Sequence, residues 1–459
     1  ELASCDDHTL LRQDAYVNLI VPKTGRYIIA VRETAYRGNN ACTYRLHVGR
    51  FPRPAAVFPP GGRPGETLEV RWIGDAGGAW SETVTLPDAE TDEHPLLASD
   101  ASEISPSGIP VRVTDLPATL EVEPNNNRNE ASPTAMPSAC MGVIGEPGDK
   151  DYFRFTAKKG QPLDVFAYAR QLRSRLDPVM RIYDAQGKRL AGNDDNAGLP
   201  DSYFQFRAPA DGEYVLQIED HLRSGGPEFV YRIEIAPPRP RVDLMVEEER
   251  RYFATVADVP QGGRTTLLVR ATRRNMGGPL ELVMDGLPTG VTATAIPLPA
   301  NFNRIPVILS ATDDAPLSGA RVRLTTRKTD ADKQDFENRF VQQTWLVRGQ
   351  NNRPMWNYFD DRLPVAVTQK LPFRLRLEPL KSPIVQSGSK AVKVVAERDE
   401  GFDERIAVHL LYNPPGVSSN RSLGIEKGQL EATIPVTAAG NARVGDWPIT
   451  VIGTANVRG

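Results

Sequence analysis

The chain repeats itself, and this limits what it can fold into more than any other feature. Asp14-Ala15-Tyr16 returns as Asp201-Ser202-Tyr203, Gly25-Arg26-Tyr27 as Gly212-Glu213-Tyr214, and Tyr44-Arg45-Leu46 as Tyr231-Arg232-Ile233. Each pair is 187 residues apart (201 − 14, 212 − 25, 231 − 44). Upstream, Leu2-Ala3 and Asp6-Asp7 return as Leu190-Ala191 and Asp194-Asp195, one residue further on. Self-similarity at a fixed spacing marks one structural unit used twice. Residues 1–49 thus read as the closing half of a domain whose complete copy spans 120–237, and the chain is expected to begin mid-domain.

Both copies alternate with period two. Tyr214, Leu216 and Ile218 fall on one face, as do Tyr27, Ile29 and Val31, and Tyr231, Ile233 and Ile235 repeat the pattern. Such alternation specifies half-buried antiparallel strands. A fainter repeat in the second half aligns Pro288-Thr289-Gly290-Val291 and Ile305-Pro306-Val307 with Pro414-Pro415-Gly416-Val417 and Ile434-Pro435-Val436. It suggests immunoglobulin-like sandwiches over 238–350 and 363–459 with a linker at 351–362, the last expected to be cut short. Residues 50–119 read as a small immunoglobulin-like β-domain in which the acidic stretch 88–107 is a mobile loop, and 328–338 is a second polar excursion. The 39 Pro and 37 Gly among 459 residues suit many short strands joined by turns. The expected fold class is all-β, as tandem β-sandwiches.

Several functions are disfavoured by what the chain lacks. A net charge of -3 gives no electrostatic case for nucleic acid. No run approaches the roughly 18 apolar residues of a spanning helix, so no membrane span is expected. The five His are scattered, with neither a His-Glu-x-x-His nor a Gly-x-Ser-x-Gly pattern nearby, so no catalytic site is expected. Of the three Cys, Cys5 and Cys42 stand where the second copy has Asn193 and Phe229. The joint change suggests a disulfide, against the alternative of two independent buried thiols. Tyr36, Trp72, Trp80, Trp345, Trp356 and Tyr358 raise the further alternative of a carbohydrate-binding module with an aromatic platform, although isolated aromatics more often pack in cores.

Four stretches occur in a telling order: Glu121-Val122-Glu123-Pro124-Asn125-Asn126, Gly148-Asp149-Lys150-Asp151-Tyr152-Phe153, Asn193-Asp194-Asp195 and Ala208-Pro209-Ala210-Asp211-Gly212-Glu213-Tyr214. Together they resemble the bacterial pre-peptidase C-terminal domain, and residues 1–49 resemble the closing half of a second one. That family is a jelly-roll-like β-sandwich appended to exported proteins, and it is similar to the collagen-binding domain of clostridial collagenases. Arrays mixing it with immunoglobulin-like units look like large surface proteins of planctomycete-type bacteria. The resemblance implies an extracellular, cell-surface or periplasmic location.

It also implies calcium. Ca²⁺ takes six to eight oxygens from carboxylates, carbonyls and water, and in the collagenase-like relatives a Glu-x-Glu-x-Asn segment with the acidic strand entry supplies them. Carried onto this sequence, the metal candidates are Glu121, Glu123, Asn125, Asn126, Asp149 and Asp151. The competing reading is a solvated linker with an Asx-turn. Asp194, Asp195 and Asp201, matched by Asp6, Asp7 and Asp14, form a second acidic set, for which turn capping and a second calcium site are the alternatives. The expected function is a non-catalytic, calcium-stabilised array that displays, anchors or adheres to extracellular protein or polysaccharide. The alternative is an accessory region of a secreted peptidase whose catalytic domain lies outside this sequence.

Overall fold

A computed structural model describes the chain except for residues 13, 35, 37, 41, 102, 197–198, 249–252, 330–334, 349–353, 421–422 and 458–459. It is built of β-strands, and the helical element among the described residues is a single 3₁₀ turn, Arg170–Leu172. Two compact units divide the chain, Glu1–Pro238 and Arg239–Gly459.

The first unit holds two sandwiches. The smaller has strands β1 (Ala56–Phe58), β2 (Gly61–Gly62), β3 (Thr67–Ile73), β4 (Trp80–Thr85), β5 (Thr91–Leu96) and β6 (Ile109–Val113), in sheets ordered β1-β3-β4 and β2-β6-β5. Trp72 is fully buried between them with Val57, Val70, Val111 and Val113. Its indole N–H donates to Glu82 Oε2 at 2.8 Å, so the one polar atom of the ring is satisfied. Leu10 plugs into the same core from the N-terminal segment.

The larger sandwich has β7 (Ala118–Leu120), β8 (Ser132–Pro133), β9 (Ser138–Val143), β10 (Asp151–Ala157), β11 (Pro162–Tyr168), β12 (Pro178–Asp184), β13 (Arg189–Asn193), β14 (Tyr203–Arg207), β15 (Gly212–Asp220) and β16 (Val230–Ala236). Its sheets run β13-β12-β15-β10-β8 and β14-β11-β16-β9-β7. Period-two alternation sends Phe153 and Phe155 of β10, Leu216 and Ile218 of β15, and Ile233 and Ile235 of β16 into one shared core. The two sandwiches are joined by a buried ionic network: Glu234 Oε1 accepts from Arg112 Nε at 2.8 Å and from Arg232 Nε at 2.9 Å. Arg232 Nη2 donates to Thr114 Oγ1 at 2.6 Å, and the Arg112 guanidinium lies 4.0 Å from the Tyr168 ring centre.

In the second unit, one sandwich pairs a sheet of Val291–Ala295, Arg304–Ala311, Arg264–Arg274, Arg241–Val246 and Glu337–Phe340 with a sheet of Ala257–Pro260, Leu363–Thr368, Gly319–Lys328 and Leu280–Asp285. The last sandwich is formed by Phe373–Leu377, Ser389–Arg398, Glu431–Ala438 and Val417–Ser419 opposite Leu423–Ile425, Ile406–Leu410 and Val451–Ala455.

The structure corrects several expectations. Residues 1–49 form no strand among those described, and Ile20, Ile28, Ile29 and Val31 are exposed. The strand pairing of the complete copy bears on this. β14 pairs with β11, β15 with β10 and β12, and β16 with β9 and β11. β13 to β16 never pair with one another but only with earlier strands, and the described part of 1–49 joins no such ladder. With no sheet to set their positions, Cys5 and Cys42 are free thiols rather than a disulfide, and Cys5 Sγ instead meets the Asp7 carbonyl at 3.5 Å. The stretch 88–107 is not all loop, since it contributes β5. The expected linker includes the strand Pro354–Asp360, which returns along Gln342–Arg348 as a hairpin. Leu363–Thr368, expected to open the last sandwich, belongs to the preceding core through Leu363, Val365 and Val367. Of the polar excursion, 330–334 lies outside the described residues.

Candidate functional site

Three carboxylates meet at one end of the larger core. Asp151 is the first residue of β10, on the inward face shared by Phe153 and Phe155, so the strand's own alternation carries its side chain inside and leaves it fully buried. Glu121 follows β7, where its N–H donates to the Met141 carbonyl at 2.9 Å and extends the pairing to β9. Its side chain turns back over β9, and Oε1 accepts from the Val143 N–H at 2.9 Å. Only glycine fits beneath it. A Cβ at Gly142 would lie 1.9 Å from Glu121 Oε2 and 2.3 Å from the Tyr231 hydroxyl. Glu123, exposed, accepts the Asn125 N–H at 2.8 Å. One oxygen from each of Glu121, Glu123 and Asp151 lies within 4.8 Å of the others.

These oxygens are not all satisfied from within the chain. The Tyr231 hydroxyl stands 2.6 Å from Asp151 Oδ2 and 3.1 Å from Glu121 Oε2, but Asp151 Oδ1 is buried without a partner. Asn125, whose N–H is held by Glu123, is fully buried, and neither its Oδ1 nor its Nδ2 has a partner. Buried polar atoms left unpaired are rare and call for an explanation. Electrostatics points the same way. Burial pushes the Asp151 carboxyl up to about 9, helped by the neighbouring Glu121 charge, and burial pushes Glu121 up to about 7. Crowded, desolvated carboxylates resist ionising together unless a cation joins them. Orphaned buried oxygens among such carboxylates are the donor chemistry of a hard divalent cation.

Residues 149–220, which run from the strand entry through β15, match the family model of the bacterial pre-peptidase C-terminal domain. The larger sandwich carries this domain. A 167-residue stretch is 32% identical to a Deinococcus radiodurans protein named "Probable subtilase-type serine protease", covering 32% of this chain and 23% of that protein. The chain therefore spans under a quarter of that relative's length. Among solved structures, the pre-peptidase C-terminal domain of a Bacillus anthracis collagenase aligns at 15% identity and a TM-score of 0.20, covering 24% of this chain and 99% of its own. Domains 4–9 of the surface layer protein SbsC align at 12% identity and a TM-score of 0.21, covering 60% and 41%.

The pre-peptidase C-terminal domain gathers only some of the sequence-derived candidates. Glu121, Glu123 and Asp151 come together, and buried Asn125 is tied to Glu123 through its backbone N–H. Asn126 is exposed, and Asp149 is engaged in the turn before β10, its Oδ2 accepting from Gly145 N–H at 2.7 Å and its Oδ1 from Lys150 N–H at 2.8 Å. The second acidic set disperses. Buried Asp201 caps the 3₁₀ turn by accepting from the N–H groups of Ala169, Arg170 and Gln171 at 3.1, 2.7 and 3.0 Å. Asp194 and Asp195 lie exposed in the turn organised by Asn193. In the first copy Asp6 accepts from the Thr34 hydroxyl, and Asp7 and Asp14 are exposed. Of the aromatic residues, Trp72 is buried against Trp80, Tyr36 and Tyr358 are exposed, and the Trp356 side chain is outside the described residues. Sequence reasoning missed Tyr231 as a site residue. Its return in the first copy as Tyr44, on an otherwise aliphatic strand face, was the available signal.

Among the described residues no helix is long and apolar enough to cross a membrane.

Proposed function

We propose that this chain is a non-catalytic, calcium-stabilised accessory segment at the exterior of a bacterial cell, spacing or anchoring other domains. The observation that carries this reading is the carboxylate cluster with its orphaned Asp151 Oδ1 and buried Asn125. Glu121, Glu123, Asp151 and the Asn125 amide oxygen would hold the ion, which would supply the positive charge that lets the carboxylates stay ionised together. The ion is assigned a structural role, tying the segment after β7 to the start of β10. A second reading, favoured by the Deinococcus relative, makes the segment an accessory part of a secreted peptidase. The reading frame on either side of the segment distinguishes the two.

Extracellular calcium modules bind with dissociation constants of about 0.1–1 mM. At tenfold excess, linkage stabilises the folded state by about 1.4 kcal/mol, which for a unit of this size raises the melting temperature by about 3–6 °C. The expected result is that rise for the whole chain in millimolar calcium relative to chelator at constant ionic strength. Glu121→Ala and Asp151→Ala each abolish it, while Asp195→Ala leaves it intact. A melting temperature indifferent to calcium, with no heat of binding by calorimetry, would reject the calcium reading.

A further inference from the structure

Away from the carboxylate cluster, the outer face of the sheet β13-β12-β15 carries a cavity of about 360 Å³, at the small end of the roughly 300–1,000 Å³ of ligand clefts. Arg181 and Glu219 line it from the strands, and Arg189, Asp194, His221 and Arg223 from the exposed side. Most of its acids are already engaged. Glu219 pairs with Arg181 and, at 3.5 Å, with Lys150. Asp220, also in the lining, accepts from the N–H groups of Asp177, Leu222 and Ser224 at 3.0, 3.1 and 2.9 Å. Asp194 stands 3.9 Å from His221 Nδ1. The guanidinium groups of Arg189 and Arg223, by contrast, have no hydrogen-bond or ion-pair partner among the described residues. Glycine at 192 leaves room for one of them, since a Cβ there would sit 3.0 Å from Arg189 Nη2 and 2.5 Å from the Met180 carbonyl.

Two uncommitted guanidiniums over one cavity suit a planar anion, which arginine grips through paired N–H donors. The lining has no Trp, Tyr or Phe ring on which a neutral sugar could stack. It does interleave an acceptor, Asp194, with the donors, and this suits a ligand bearing hydroxyls around a single carboxylate. A peptide carboxylate would bring no hydroxyls to that acceptor. We propose that this cleft binds the carboxylate of a uronic-acid-bearing polysaccharide, with Arg189 and Arg223 as the gripping residues.

The test is calorimetric titration of the whole chain with trigalacturonate, its methyl ester and poly-L-glutamate, without added divalent cation. Trigalacturonate should bind, its ester should not, and poly-L-glutamate should bind more weakly. Arg189→Ala and Arg223→Ala should each weaken binding roughly tenfold with an unchanged melting temperature, and Arg189→Lys should lose less than Arg189→Ala, because the charge remains without the fork. Absence of binding, equal binding of the ester, tighter binding of poly-L-glutamate, or an affinity that the double alanine variant leaves unchanged would each overturn the proposal.

Discussion

Glu234→Ala is expected to destabilise the first unit by about 3–5 kcal/mol, the cost of breaking a buried ion pair from one side. Glu234 is the anion that both Arg112 and the fully buried Arg232 address through Nε. Burial pushes its carboxyl up, but the two guanidiniums outweigh that and hold it below the usual carboxylate range. With Glu234 gone, Arg232 keeps Thr114 and Met141 Sδ as partners, and Arg112 keeps Asp92 at 2.6 Å. Neither set contains a buried counter-charge. For a unit of this length the loss corresponds to a fall in melting temperature on the order of 6–20 °C. Glu234→Gln, which keeps an acceptor without the charge, should fall between wild type and Glu234→Ala. A Glu234→Ala midpoint within 2 °C of wild type would show that the network contributes no net stability.

The second large effect is a dependence on pH that calcium should erase. In chelator, Asp151 holds a proton in the folded state that the unfolded chain, with a carboxyl near 4, has already released. A folded-state value raised to about 9 gives stability that is fully present below pH 4 and is lost as pH climbs towards 9. For Asp151 alone, the slope is at most about 1.4 kcal/mol per pH unit. The melting temperature in chelator should therefore fall between pH 5 and 8.5, and fall much less in millimolar calcium, where binding displaces the proton. Asp151→Asn should remove this part of the slope and at pH 8 be more stable in chelator than wild type, while losing the calcium response. Identical slopes for wild type and Asp151→Asn in chelator would mean that Asp151 is ionised in the metal-free fold.

Much of this architecture is legible in the sequence because it is local. Alternation alone places Tyr214, Leu216 and Ile218 on one face, and all three lie in the core. The Glu-x-Glu-Pro-Asn-Asn segment advertises oxygen donors, and Glu121, Glu123 and Asp151 do meet. What the sequence hides is set by partners distant along the chain. Whether Asn125 or Asn126 faces inward depends on how the segment after β7 lies against β9 and β10. Tyr231 reaches the site across 110 residues from Glu121 and 80 from Asp151. The strand Leu363–Thr368 alternates as well as any other, yet alternation cannot say which sandwich claims it. The same gap applies to residues 1–49, whose pattern is that of strands although the described part of the segment joins no sheet.

The pairing scheme of the pre-peptidase C-terminal domain also bears on how it folds. Within its two sheets, only β12 and β13 are joined as a sequence-adjacent hairpin. Every other ladder closes a loop through intervening strands, with the entropy that closure demands. Such a topology folds on the millisecond-to-second scale rather than in microseconds. On a ribosome β10 and β12 each keep one edge unpaired until β15 is synthesised, and β9 and β11 until β16 is, with those edges open to pairing with other chains in the meantime.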